Sequence, residues 1–311
     1  MASRWIVGLL VLDAVALGAL SLPSCGARSE LLVGEPAPEP PDAAPDSPIE
    51  ADAPFDAPPD VPDPPPDGLP TCVPDALYVY LVTSEYDLLR YRPDTGDLFQ
   101  VGTLACDEFA APFSMGVDRL GTAYVVYNDG LLYRVSTSDA SCKPTGWNPG
   151  EQGFTLFGMG FAIDDDGKGE SLHVAEISFQ NPSKGLGRID TESFALDYIG
   201  EFSENPGFAL ELTSSDDGKL YGYFLDVNGA GGYLVDIDKQ TAALNSVTPL
   251  PIGSGNSSLA FAYWNTDFYV FTGDGDQKTK VSRYRPSDGS VEVVGSIPRT
   301  VVGAGVSTCS L

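Results

Sequence analysis

The sequence predicts an all-β domain: a five-bladed β-propeller of four-stranded antiparallel blades, its first blade closed by the C-terminal strand. Three observations carry that expectation. One strand class recurs five times at steps of 44, 54, 48 and 47 residues, aligned on Arg90, Arg134, Arg188, Asp236 and Arg283. A second class reads small–apolar–small–apolar in Ser114–Val117, Gly158–Phe161, Ala209–Leu212, Ala260–Tyr263 and Gly303–Val306. The last copy of this class stands alone at the C-terminus, while the strands it lacks begin near Leu77, just after Cys72. A repeat divided between the chain ends is how a propeller closes its ring. Six blades, the alternative count, would need a further repeat that the sequence does not contain.

The 311 residues divide into three compositional blocks. Arg4 precedes an apolar run from Trp5 to Leu22, which ends in Leu22, Pro23, Ser24 and Cys25. A basic start, an apolar run and small residues before a cut describe an export signal over 1–25. Asp13 sits inside that run, where a spanning helix would lose about 3 kcal/mol on insertion scales. Residues 26–70 read as a tether. From 34 to 70 they hold 14 Pro and 10 Asp or Glu, with no Lys or Arg. So little of this stretch can be buried that disorder is expected, with the Pro-rich chain extended at about 3.1 Å per residue. Residues 71–311 form the propeller block, with β-branched and aromatic runs separated by Gly, Asp, Asn and Pro.

The formal net charge is −27. Such a surface repels phosphate backbones and anionic headgroups, so nucleic acid is not an expected partner, and any membrane contact is expected only through an anchor. A monomer is expected. Setting Cys25 aside, the four remaining cysteines allow three pairings. Cys72 precedes the first strand of blade one and Cys309 ends the strand expected beside it, which favours Cys72–Cys309 and leaves Cys106–Cys142. Both are compatible with an exported chain.

Candidates for chemistry are few. His173 is the only histidine and lies within an apolar strand, which excludes Ser-His-Asp triads and zinc–histidine sites. No cofactor is expected; calcium is the alternative, with Asp274 and Asp276 as the best pair of oxygen donors. The same Asp-Gly runs, including 164–167 and 216–218, are also what tight hairpin turns select. Glu211 is the odd member of its strand class, whose equivalents are Gly116, Gly160, Ala262 and Gly305. It is expected to set one carboxylate on the central channel, hydrated, paired with a cation or protonated.

Connections entering the small–apolar strands span 106–112, 146–155, 203–207, 251–257 and 299–302, and two contain Asn-Pro-Gly. By resemblance to the propeller fold, ligands bind on the face these connections form. Trp147, Asn148, Asn205 and Glu211 are the candidate ligand contacts, with Trp147 either exposed for stacking or packed beneath its loop.

The Leu22–Cys25 ending resembles the lipobox of bacterial lipoproteins, which implies lipidation of Cys25. The whole layout resembles bacterial surface lipoproteins that carry a propeller on an acidic Pro-rich tether. That resemblance implies an outer-membrane or cell-surface location in a Gram-negative-type bacterium, with a secreted soluble protein as the alternative. It also implies a non-catalytic binding module for a glycan, peptide or protein. The competing expectation is a glycoside hydrolase or lyase, in which Glu211 works with Glu108 or Glu204 across roughly 5–10 Å.

Overall fold

The computed structural model describes residues 68–178, 183–204, 208–226, 230–253, 258–273 and 278–309, the side chains of 208–210 excepted. Cys25, Asn205, Asp274, Asp276 and nearly all of the tether lie outside the described residues. After a short 3-10 turn at Pro74–Leu77, the described residues form twenty strands. Blade one contains β1 (Val79–Thr83), β2 (Asp87–Arg92) and β3 (Asp97–Thr103). Blade two contains β4 (Pro112–Val117), β5 (Thr122–Tyr127), β6 (Leu132–Ser136) and β7 (Cys142–Pro144). Blade three contains β8 (Phe157–Ile163), β9 (Glu170–Glu176), β10 (Leu186–Ile189) and β11 (Leu196–Gly200). Blade four contains β12 (Phe208–Ser214), β13 (Leu220–Leu225), β14 (Gly232–Ile237) and β15 (Leu244–Leu250). Blade five contains β16 (Leu259–Trp264), β17 (Asp267–Gly273), β18 (Thr279–Arg285) and β19 (Ser290–Ile297). The final strand, β20 (Val301–Gly305), joins blade one.

Each blade is a four-stranded antiparallel sheet, and the first has the order β20-β1-β2-β3. The C-terminal strand therefore closes the ring, pairing Tyr80 with Gly305 and Leu81 with Ala304. The first strand begins at Val79, two residues later than the apolar run, because Pro74 starts a tight turn that takes up Leu77.

Burial falls from the axis outward. Strand β1 is buried at every position, whereas β3 is exposed or half-buried throughout. This is the expected profile when each sheet is covered on both faces by its neighbours near the axis and splays apart at the rim. The hydrophobic clusters follow the same plan and lie between blades, as where Tyr80 and Val82 of blade one meet Met115, Val117 and Val125 of blade two.

Small residues on the inner strands serve strand-to-strand approach. A Cβ added to Gly160 would lie 2.9 Å from the Leu212 carbonyl oxygen, and one on Gly303 would lie 2.9 Å from Ser114 Cα. Neighbouring inner strands thus close to backbone distance, and a larger side chain at either position would wedge them apart.

The turn before each outermost strand also repeats five times. Gly96, Ala140, Phe194, Ala242 and Gly289 all have positive φ, between 60° and 75°. Each donates its backbone N–H to the carbonyl four residues earlier, at 2.8–2.9 Å. Ala140, Phe194 and Ala242 accept a conformation that favours glycine while their side chains are buried at the blade junctions.

The termini meet at a seam. Cys72 and Cys309 are joined by a disulfide with Cα atoms 5.9 Å apart, and Cys106 is joined to Cys142 with Cα atoms 5.2 Å apart. The Arg119 guanidinium donates to the carbonyls of Pro70 and Thr308 at 3.0 and 3.1 Å, and to Thr308 Oγ1 at 2.9 Å. Glu170 accepts from the Arg119 backbone N–H and from Thr308 Oγ1, both at 2.7 Å. Blades one, two and three are thereby tied at the seam. Two disulfides mark an extracellular or periplasmic protein. Among the described residues, no helix is long and apolar enough to cross a membrane.

Candidate functional site

The face formed by the connections between blades is called upper here; the seam lies at the opposite, lower end. Inner strands succeed one another around the axis as β20, β4, β8, β12 and β16. Glu211 is on β12 and Ser114 on β4, so blade three separates them on one side and blades five and one on the other. Even so, Ser114 Oγ donates to Glu211 Oε2 at 2.7 Å. The pair meets across the axis.

Glu211 is only 4% exposed. Its carboxyl is pushed well above the usual carboxylate range by burial, which the Ser114 hydrogen bond offsets only in part. Among the described residues no other group bears on its ionisation. Burial thus favours the protonated form, which can donate one hydrogen bond as well as accept. Of the three states expected from the sequence, the protonated one agrees in direction with the desolvation of this buried carboxyl.

Nearby, Thr213 Oγ1 accepts the Tyr263 backbone N–H at 3.0 Å. An inner strand has no partner on its axial edge, so a side-chain oxygen from the next blade satisfies that donor.

Among the described residues, the remaining sequence candidates make no hydrogen bond to Glu211 and do not shift its carboxyl. Glu108 and Glu204 are both exposed on upper-face connections, and neither perturbs its carboxyl. Trp147 takes the packed alternative at 4% exposure. Its indole N–H donates to the Gly130 carbonyl at 3.1 Å, and its ring meets Phe157 edge-on with centroids 5.5 Å apart. The exposed reading of Trp147 is corrected on this ground: an indole that needs one acceptor finds it beneath the loop, where the apolar ring is also covered. Asn148 is exposed in the turn that follows.

His173 is 3% exposed and held neutral, with burial lowering its pKa to about 4. Two of the acidic runs form turns. Gly167 and Gly218 have φ of +69° and +79° and donate to the carbonyls of Asp164 and Ser215. Among the described residues, no group of three or more His, Cys, Asp or Glu is placed to hold a metal ion.

A recess of about 460 Å³ opens on the lower side between blades three and four. Lys239 occupies it, donating to the Gly218 carbonyl at 2.8 Å and pairing with Asp165 at 2.9 Å. Its chemistry is internally satisfied.

Two participants were not anticipated from the sequence. Ser114 carried a signal, because it is the only hydroxyl at a position held elsewhere by Gly158, Ala209, Ala260 and Gly303. Phe109, in the connection 104–111, is 95% exposed on the upper face. Its signal was an aromatic residue in an acidic loop without strand alternation.

No protein-family model matches the chain, and comparison with curated proteins finds no match either. Solved structures match it at low identity. An exo-β-1,3-galactanase from Clostridium thermocellum is 10% identical, with 72% of this chain and 53% of that one covered and a TM-score of 0.45. The PQQ-bound aldose sugar dehydrogenase from Streptomyces coelicolor is 9% identical, with 69% and 77% covered and a TM-score of 0.42. A protein of unknown function from Bacteroides thetaiotaomicron is 13% identical, with 70% and 57% covered and a TM-score of 0.43. The chain thus spans little more than half the length of the first and third. A likeness at this level carries nothing about ligand or reaction.

Proposed function

We propose that the chain is a non-catalytic binding module, held on the bacterial cell envelope through Cys25 and presenting the upper propeller face to a glycan, peptide or protein. The observation that carries this reading is the isolation of Glu211. Glycoside hydrolysis needs two carboxylates on opposite sides of one bond, and Glu211 faces a serine instead. A lyase needs a base, and the burial that raises the Glu211 carboxyl works against that role. The exposed upper-face residues, Asn148 and Phe109 among them, suit recognition without chemistry.

The competing hydrolase reading draws on one feature, the upward shift that burial gives the Glu211 carboxyl, which is the direction a general acid requires. A glycan array, read for both binding and product release, separates the two. Binding without turnover is expected; turnover that Glu211→Gln abolishes would overturn the non-catalytic reading. For the anchor, Cys25→Ser is expected to move the protein from the membrane to the soluble fraction. Continued membrane association of that variant would remove lipidation from the reading.

A further inference from the structure

The upper rim at blades two and three has an unusual composition. Phe109 is 95% exposed, and Leu131, on the hairpin joining β5 to β6, is 37% exposed. Pro149 belongs to the same sector: a Cβ built on Gly130 would lie 2.9 Å from its Cβ. The connections 104–111, 127–131 and 145–155 contain Asp107, Glu108, Asp129 and Glu151 but no Lys or Arg. Lys184, whose side chain runs along Gly153, marks the edge of this sector.

Phe109 is not a frayed loop tip. Asp107 Oδ1 accepts the backbone N–H of Phe109 at 2.6 Å and that of Ala110 at 2.9 Å. The Ala111 N–H donates to Asn128 Oδ1 at 3.1 Å, and the Asn128 N–H donates back to the Ala111 carbonyl at 2.9 Å. The Cys106–Cys142 disulfide fixes the start of the same loop. Those two backbone hydrogen bonds also hold the Asp107 carboxyl below its usual range, so it stays charged well into acid. A large apolar ring thus projects from a restrained loop, with negative charge beside it.

We propose that this rim captures a cationic polypeptide segment, an apolar side chain packing on Phe109 while Lys or Arg side chains meet Asp107, Glu108 and Asp129. The inference rests on the binding reading above and names its partner class. Charge selects the occupant. A second copy of the chain brings the same −27 and is repelled, as are nucleic acid and anionic lipid. A basic segment is steered in by the field and retained by a preorganised aromatic anchor.

The test uses the full chain and a fluorescein-labelled dodecapeptide alternating Lys and Leu, with its Glu/Leu counterpart and an array of neutral oligosaccharides alongside. Saturable binding of the Lys/Leu peptide is expected, with the Glu/Leu peptide unbound. Phe109→Ala is expected to weaken binding about tenfold with an unchanged Tm, because the ring makes no buried contact. Glu108→Lys should weaken it about threefold, and added salt should weaken the wild type further. Equal affinity of wild type and Phe109→Ala would mean attraction by bulk charge alone and would overturn the proposal. Binding of a neutral oligosaccharide that needs Phe109, without peptide binding, would also overturn it while leaving the binding-module reading intact. Turnover of an oligosaccharide with no ligand sensitive to Phe109 would remove both.

Discussion

Glu170, half-buried at the seam, and Glu211, buried on the axis, have surroundings that differ in kind. Glu170, at the seam, accepts two hydrogen bonds and lies near the Arg119 cation; its pKa is raised from 4.5 to about 7. Glu211, on the axis, has one donor and no cation among the described residues, and its pKa is raised well above 4.5. Desolvation is the leading cause for both, and what separates them is how many donors oppose it. The comparison teaches which carboxyl is structural. Glu170 is held by groups that also hold the chain ends, so its place follows from closing the ring. Glu211 ties together two blades that already have neighbours, and its inner-strand equivalents are Gly or Ala.

The sharpest way to break the seam is to remove β20. Truncation after Pro298 exposes the inner edge of β1, frees Cys72 and deletes the Thr308 partner of Glu170. An unpaired strand edge favours aggregation, so insoluble or protease-sensitive protein is expected. A truncated chain that melted at the wild-type temperature would show the closure to be dispensable.

Cys72→Ser with Cys309→Ser should be milder. The strand still pairs, but a cross-link spanning 237 residues is gone, worth up to about 5 kcal/mol in the chain-entropy model. Chemical denaturation of both variants checks the order, and a double serine variant as damaged as the truncation would place the stability in the disulfide rather than the strand.

The two glutamates should separate in a pH series. A carboxyl with a raised folded-state pKa binds its proton more tightly when folded, so stability falls as pH rises. For Glu170 the fall runs from pH 4.5 to about 7 and amounts to about 3 kcal/mol, and Glu170→Gln should flatten that interval. For Glu211 the direction is the same, stability falling as pH rises above the ordinary glutamate range. Glu211→Gln should leave Tm nearly unchanged in acid and raise it relative to wild type as pH rises above the ordinary glutamate range. A variant less stable than wild type at pH 8 would mean that Glu211 is ionised and paired in the folded protein.

Much of the architecture is written locally. Strand patterning, the five-fold recurrence of the aligned positions and the orphaned Gly303–Val306 segment are short-range features, and they specify blades, their number and the closure. The cysteine pairing follows, because Cys72 and Cys309 flank strands that the closure makes neighbours. The substitution of Glu211 for a small residue marked an axial carboxylate before any coordinates. Its partner was less legible, since Ser114 lies 97 residues away and only the ring brings the two strands opposite each other.

Trp147 and Phe109 mark the limit from the other side. Both are aromatic residues in polar upper-face connections, yet one is 4% and the other 95% exposed. Sequence composition does not distinguish them, because the outcome depends on what lies beneath. Gly130 offers Trp147 a carbonyl and Phe157 an edge, whereas the turn capped by Asp107 aims Phe109 at solvent.

By itself, then, the sequence determined the strand period, the blade repeat, the closing strand, the cysteine pairs and the axial position of Glu211, all consequences of local patterning and chain connectivity. Tertiary structure alone decided that Glu211 is buried and meets Ser114, that Glu170 joins the seam, and which aromatic faces outward. Those outcomes depend on distances between groups far apart in the chain, and burial and hydrogen bonding are fixed only once the ring has brought them together.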